Sequence, residues 1–184
     1  MPDAIRLPSF RLDDRVAMVT GSGTGIGAGI ASGFAEAGAD LVLVGRTLAP
    51  LEATARRVES FGRKATIIVC DLTDRNGLRR HIAGLSCLDI LVNNAGTSIP
   101  EPILEVADAS LDTMVNLNVT ALFIASQAAT ASPCCRSSTS TSNEAPAGRW
   151  SRFSVNSLAL PLASIASAAA SAFVTGRDTF VSGG

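Results

Sequence analysis

Glycine is concentrated where a phosphate could use it. Gly21-Ser22-Gly23-Thr24-Gly25-Ile26-Gly27 follows the Val-bearing apolar run 15–20 and leads into Ala28–Gly38, whose apolar spacing and closing glycine suit a helix. The absence of side chains lets the backbone approach a pyrophosphate, and the unpaired N–H groups at the helix start supply donors and positive potential. Tight packing of strand on helix is the other use for the same glycines.

Groups for proton transfer are scarce. The 184 residues contain no Tyr and one His, and their sole lysine is Lys64. His81 sits in Leu78-Arg79-Arg80-His81, a helical stretch expected to cover a sheet far from the glycine turn, and Lys64 reads as a solvated residue. The four cysteines, Cys70, Cys87, Cys134 and Cys135, read as reduced thiols and not as a disulfide framework. Adjacent Cys134 and Cys135, with no His or further Cys close by, make no metal site.

The segments that would carry these groups alternate strand and helix. Asp40–Arg46, Ala65–Cys70 and Leu88–Val92 read as three further buried strands. The second ends in Gly45-Arg46, roughly 20 residues past the glycine turn, where an NAD site places an acid on the ribose 2′-hydroxyl. With no carboxylate there, Gly45 leaves room for a 2′-phosphate and Arg46 can pair with it, which favours NADP over NAD. A solvated arginine opening the next helix is the competing reading. Asp71-Leu72 ends the third strand where a side chain can meet an adenine ring, unless Asp71 is an N-cap. Asn93-Asn94-Ala95-Gly96 follows the fourth strand, either as a loop lying against a cofactor or as an ordinary turn. Ala109–Thr130 reads as a long helix containing Asn118, which either orients a group in a site or is a hydrogen-bonded helix residue.

The ordered set Thr20-Gly21, Gly25-Ile26-Gly27, Asp71-Leu72, Asn93-Asn94-Ala95-Gly96 and Val115-Asn116-Leu117-Asn118 resembles the short-chain dehydrogenase/reductase family over residues 11–131. The resemblance returns in Ser171–Gly176 and Phe180–Gly184, which look like the family's closing strand with Ser182 in place of a typical Asp. It implies an α/β fold, a doubly wound parallel sheet of three αβα layers, here incomplete or rearranged toward its C-terminal part. It also implies NADP bound by Gly21, Ser22, Thr24, Gly25, Ile26, Gly27, Arg46, Asp71, Leu72, Asn94, Ala95 and Gly96, and hydride exchange with a small ketone or alcohol of the 3-oxoacyl or sugar-acid kind. The family's catalyst is a Ser-Tyr-Lys set with a supporting Asn. Asn118 matches the Asn and Ser157 is the candidate Ser, but Tyr and Lys have no counterpart. Three readings follow: an oxidoreductase, a nucleotide-binding pseudoenzyme, and a damaged gene product.

Residues 132–152, rich in Ser and Thr and almost free of aliphatic side chains, read as an irregular break between a cofactor-binding half, 11–131, and a remnant, 153–184, of one domain. Two registers compete beyond it. In one, Val155–Ala159 follows the fifth strand and Ser157 binds substrate; in the other, Phe153–Ala159 is the sixth strand and the catalytic segment is deleted. A net charge of −1 gives no reason to expect nucleic acid. No apolar signal core stands in the first dozen residues, and the apolar run 158–174 is interrupted by Pro161 and serines. A cytoplasmic protein without membrane contact is expected. If no second helix covers 109–130, Leu122 and Phe123 leave an apolar stripe. Instability or aggregation is then expected, unless a partner, such as a second copy or an intact relative, or a rearranged helix covers that face.

Overall fold

The computed structural model describes residues 10–131 and the backbone of 153–156 and 173–174. Its strands are β1 Val16–Thr20, β2 Asp40–Gly45, β3 Ala65–Val69, β4 Ile90–Asn93, β5 Phe153–Asn156 and β6 Phe173–Val174. They form one sheet in the order β3-β2-β1-β4-β5-β6, parallel from β3 to β5, with β6 antiparallel to β5. From β1 the chain steps outward to β3 and then returns across β1 to β4. Strand order reverses there, and in a doubly wound sheet the crevice beyond the carboxyl ends at that reversal takes the ligand.

The helices are α1 Gly25–Glu36, α2 Leu48–Ser60, α3 Arg75–Ala83, α4 Asp108–Val115 and α5 Leu122–Ala131, with a π-helical turn at Asn116–Ala121 joining the last two. Alternate strand residues feed two cores. Ala17, Val19, Leu41, Leu43 and Val92 pack under α1 and α2, against Ala31, Ala35, Leu51 and Val58. Met18, Val42, Val44, Ile68 and Leu91 pack under α3 and α5, against Leu78, Ile82, Ile124 and Ala125. Burial on both faces is why β1, β2 and β4 are continuous apolar runs with no alternating pattern, while β3 at the sheet edge is more open.

Several expected boundaries shift. Helix α1 begins at Gly25, ahead of the expected Ala28, so part of the glycine turn is already helical. The long helix expected at 109–130 is divided by the π turn around Asn118. Asp74, not Asp71, caps α3, its carboxylate accepting the Gly77 N–H at 3.0 Å. Strand β5 starts at Phe153, as the sixth-strand register has it. It nevertheless takes the place beside β4 that the other register gives the fifth strand. Ser157, Ser182 and the break at 132–152 lie outside the described residues.

Leu111, Val115, Val119 and Phe123 recur every fourth residue and are 50%, 44%, 57% and 67% exposed. In an unbroken α-helix each four-residue step would rotate the stripe by about 40°, since each residue turns about 100°. The wider turn at 116–121 sets part of that rotation back. Leu122, expected in the stripe, is instead half-buried. So much exposed apolar surface promotes association in water. The double variant Val119→Lys/Phe123→Glu is expected to scatter less light and elute later from a sizing column than the parent chain. An unchanged elution profile would show that this face drives no association.

Candidate nucleotide site

Thr20 ends β1 and ties the site together. Its buried hydroxyl donates to the Val92 carbonyl at 3.3 Å and accepts the N–H groups of Asn94 and Ala95 at 3.0 and 3.1 Å. Asn94 answers from β4's end, its Nδ2 donating to the carbonyls of Thr20 and Gly21 at 3.0 and 3.2 Å. The N–H groups of Gly21 and Ser22 donate to Val44 O of β2, at 2.8 and 3.2 Å. The glycine turn is thereby fastened to both neighbouring strands.

Two of its glycines are required by space. A Cβ on Gly21 would lie 2.9 Å from the Ala95 Cα, and one on Gly27 would strike the Gly21 carbonyl oxygen and Asn94 Nδ2. Any larger residue would push the turn away from the loop after β4.

Above these contacts lies a cavity of about 300 Å³. Gly21, Gly23 and Thr24 of the turn form one wall, and Gly45, Arg46, Thr47, Pro50 and Leu51 of the β2–α2 corner another. Cys70, Asp71 and Leu72 after β3, Asn94, Ala95 and Gly96 after β4, and Leu117 of the π turn complete it. Of the twelve residues that the resemblance assigned to the cofactor, the turn's Gly21 and Thr24, Arg46, and the Asp71-Leu72 and Asn94–Gly96 segments border this space. Ser22 and Gly27 are buried behind it, while Gly25 and Ile26 are exposed in the first turn of α1 beside it. Thr47, Pro50 and Leu51 were not singled out by sequence, and Leu117 was quoted only within the Val115–Asn118 motif. Their positions follow from how α2 and the π turn fold back over the sheet edge, a long-range consequence with no local signal.

The helix ends differ in a way that bears on charge. Asp74 caps α3, and α4 has Asp108 in its first turn with Glu101 accepting the Ala107 N–H at 3.1 Å. The cap residues of α1 and α2, Thr24 and Thr47, make no side-chain cap bond, and neither helix has an acidic residue in its first turn. Both of these cap residues border the cavity. Their free donors and positive ends are therefore left for an anion. Beside them Arg46 is exposed and forms no hydrogen bond or ion pair among the described residues.

Two titratable groups stand on the wall. The Thr73 N–H and hydroxyl bond the Asp71 carboxylate at 2.9 and 2.8 Å and hold its pKa below the ordinary value, with the Arg46 charge adding to the effect. Stability from a lowered carboxyl pKa is present above its unfolded value and is lost as pH falls through the folded one, so Asp71 is ionised throughout the neutral range. Burial pushes the Cys70 thiol up, with Asp74 and Asp71 adding to it, and its Sγ lies 3.3 Å from the Asp71 carbonyl. It is thus a protonated thiol, a poor nucleophile. His81 and Lys64 are exposed on α3 and before β3, and neither borders the cavity. Among the described residues no group of three or more His, Cys, Asp or Glu is placed to hold a metal ion. None of their helices is long and apolar enough to cross a membrane.

Asn118 is half-buried and faces the loop after β4. Its Oδ1 accepts the Thr97 N–H and its Nδ2 donates to the Thr97 carbonyl, both at 2.8 Å. The amide closes a ring with one residue's backbone just beyond Gly96 and so fixes where that loop lies. Leaving both Thr97 groups unpartnered costs about 1–3 kcal/mol for each group that is shielded from water. Asn118→Leu is expected to lower stability by about 2 kcal/mol and to speed hydrogen exchange at Thr97 and Gly96. Unchanged exchange at those amides would refute a clamp at Asn118.

A parallel sheet with its order reversed between β1 and β4, and a glycine turn opening a helix at that reversal, defines a dinucleotide-binding α/β domain. A family model described as short chain dehydrogenase matches residues 15–138, two thirds of the sequence, and the chain belongs to that family. Among curated relatives it is 39% identical to the 2-dehydro-3-deoxy-D-gluconate 5-dehydrogenase of Escherichia coli K12 over 127 residues, 67% of this chain and 49% of the relative. It is 36% identical to the gluconate 5-dehydrogenase of Gluconobacter oxydans over 123 residues, 65% of this chain and 48% of that one. Among solved structures, the L-sorbose reductase of Gluconobacter frateurii complexed with NADPH and L-sorbose superposes with a TM-score of 0.62 at 34% identity, covering 67% of this chain and 51% of that one. A short chain dehydrogenase from Burkholderia cenocepacia in complex with NADP gives 0.62 at 35% identity, over 65% and 51%. The chain spans about half the length of the curated relatives it matches.

Proposed function

We propose that the cavity binds NADP(H), with the pyrophosphate over the glycine turn and the start of α1, and the 2′-phosphate between Arg46 and the start of α2. The observation that carries this reading is the free guanidinium of Arg46 beside an uncapped helix end, in a corner where β2 ends without a carboxylate. Gly21, Thr24, Arg46, Asp71, Leu72 and Asn94–Gly96 hold the nucleotide, and the buried Ser22 and Gly27 shape the turn from behind. When bound, the nicotinamide would supply hydride chemistry. The chain's own part is to seat the nucleotide and fix the loop after β4 through Thr20, Asn94 and Asn118.

The relatives' names support a small ketone or alcohol as substrate, of the sugar-acid or polyol kind. Turnover at an ordinary rate also needs a positioned proton donor, worth roughly 10²–10⁴-fold, and the sequence contains no Tyr. That observation favours a second reading, in which the chain binds nucleotide without turning it over, alone or beside an intact relative. Calorimetric titration with NADPH and with NADH, followed by an assay of NADPH consumption with keto-sugar acids, tests both. Binding with NADPH preferred supports the site, and consumption above the background rate would refute the second reading. A folded chain that binds neither nucleotide would leave the glycine turn as packing alone.

A further inference from the structure

Consecutive residues of the π turn engage different parts of the molecule. Leu117 borders the cavity and packs on the core beneath α3 and α5. Asn118 holds Thr97 through both of its amide atoms, each at 2.8 Å. Asn116 Oδ1 accepts a hydrogen bond from Arg75 Nη2 at 3.4 Å, across 41 residues. Arg75 opens α3, in the same β3–α3 corner as Asp71 of the cavity wall. A cation at a helix start opposes the macrodipole, so Arg75 does not serve α3 itself.

Resting on the NADP reading above, we infer that Arg75 is a positioning residue for the nucleotide: by holding Asn116 it sets the π turn in the register that stands Leu117 at the cavity and Asn118 at Thr97. The turn is the element with two arrangements. Tightening it to α-helical geometry changes the phase of α4 against α5 by one residue, roughly 100°. Such a step takes Leu117 and Asn118 off their partners together. A nucleotide against Leu117 therefore selects the register in which Asn118 clamps Thr97. The linkage runs both ways: what steadies the turn tightens nucleotide binding, and the nucleotide steadies the loop after β4. Arg75 acts on affinity from outside the described cavity wall.

Amide hydrogen exchange at Thr97 of the full chain, with and without saturating NADPH, tests this alongside calorimetric titration of NADPH. In the parent chain NADPH is expected to slow Thr97 exchange by about tenfold. Arg75→Met and Asn116→Ala should each cut that slowing to about threefold or less and weaken NADPH binding by about threefold. The double variant should lose no more than either single one, since the two remove the same bond. Asn116→Asp keeps the acceptor and adds a charge for Arg75, and should behave as the parent does. Both substituted side chains are exposed, so the variants are expected to fold. An Arg75→Met chain in which NADPH slows Thr97 as in the parent overturns the inference. So does a parent that binds NADPH with no slowing at Thr97, and both results leave the nucleotide site standing. A folded parent that binds no NADPH overturns the nucleotide reading and the inference with it.

Discussion

Replacing Arg46 with alanine is expected to weaken NADPH binding by about 10- to 100-fold and leave NADH binding unchanged. The range follows from the interaction removed. Hydrogen bonds to a charged group contribute about 1.5–3 kcal/mol, and about 1.4 kcal/mol is a factor of ten. Arg46 is exposed at the rim, so salt screens it, and the smaller figure applies at physiological ionic strength. Arg46→Lys keeps the charge and loses the planar fork, and should fall between the parent chain and the alanine variant. NADH has no 2′-phosphate, which makes it the internal control. Equal losses for both nucleotides would mean that Arg46 supports the β2–α2 corner and does not read the phosphate. The measurement is calorimetric titration of both variants at low and physiological salt, and the gap between NADPH and NADH should narrow as salt rises.

Legibility in the sequence followed the range of the interactions. The strands were readable because each is a local apolar run, buried on both faces in β1, β2 and β4, and β1 to β4 begin within two residues of the expected positions. The glycine turn, Arg46 and Asp71-Leu72 were readable because strand ends deliver their next residues to the sheet's carboxyl edge. Asn118 could be named but not given its partner, since the bond to Thr97 spans 21 residues and depends on the π turn. Asp71 was offered as a possible cap and Asp74 was not considered, for a similar reason. Both precede α3, and only the geometry shows that Asp71 is engaged with Thr73 while Asp74 reaches Gly77. Thr20 was quoted only as the residue before Gly21, and its hydroxyl proves to be the junction between β1 and the loop after β4. A threonine ending a strand carries no mark of bonds formed some 74 residues away.

That junction supports the other large expectation. Thr20→Val keeps the shape of the side chain and removes one donor and one acceptor in a site that is 2% exposed. The Asn94 and Ala95 N–H groups then point at a methyl group, and each orphaned buried donor costs about 1–3 kcal/mol. The Val92 carbonyl loses its weaker partner at 3.3 Å. The expected cost is about 3 kcal/mol, which lowers the melting temperature by about 10 °C in a chain of this length. Thr20→Ser keeps the hydroxyl and gives up one buried methyl, so it should recover most of the loss, to within about 1 kcal/mol of the parent. Nucleotide affinity should move with stability, because the same bonds hold Asn94 and Ala95 at the cavity wall. Thermal unfolding of the two variants decides the matter. If the Val variant melts with the parent and the Ser variant below it, the methyl and not the hydroxyl holds the junction, and the position of the loop after β4 must be set by Asn94 Nδ2 and by Asn118 through Thr97.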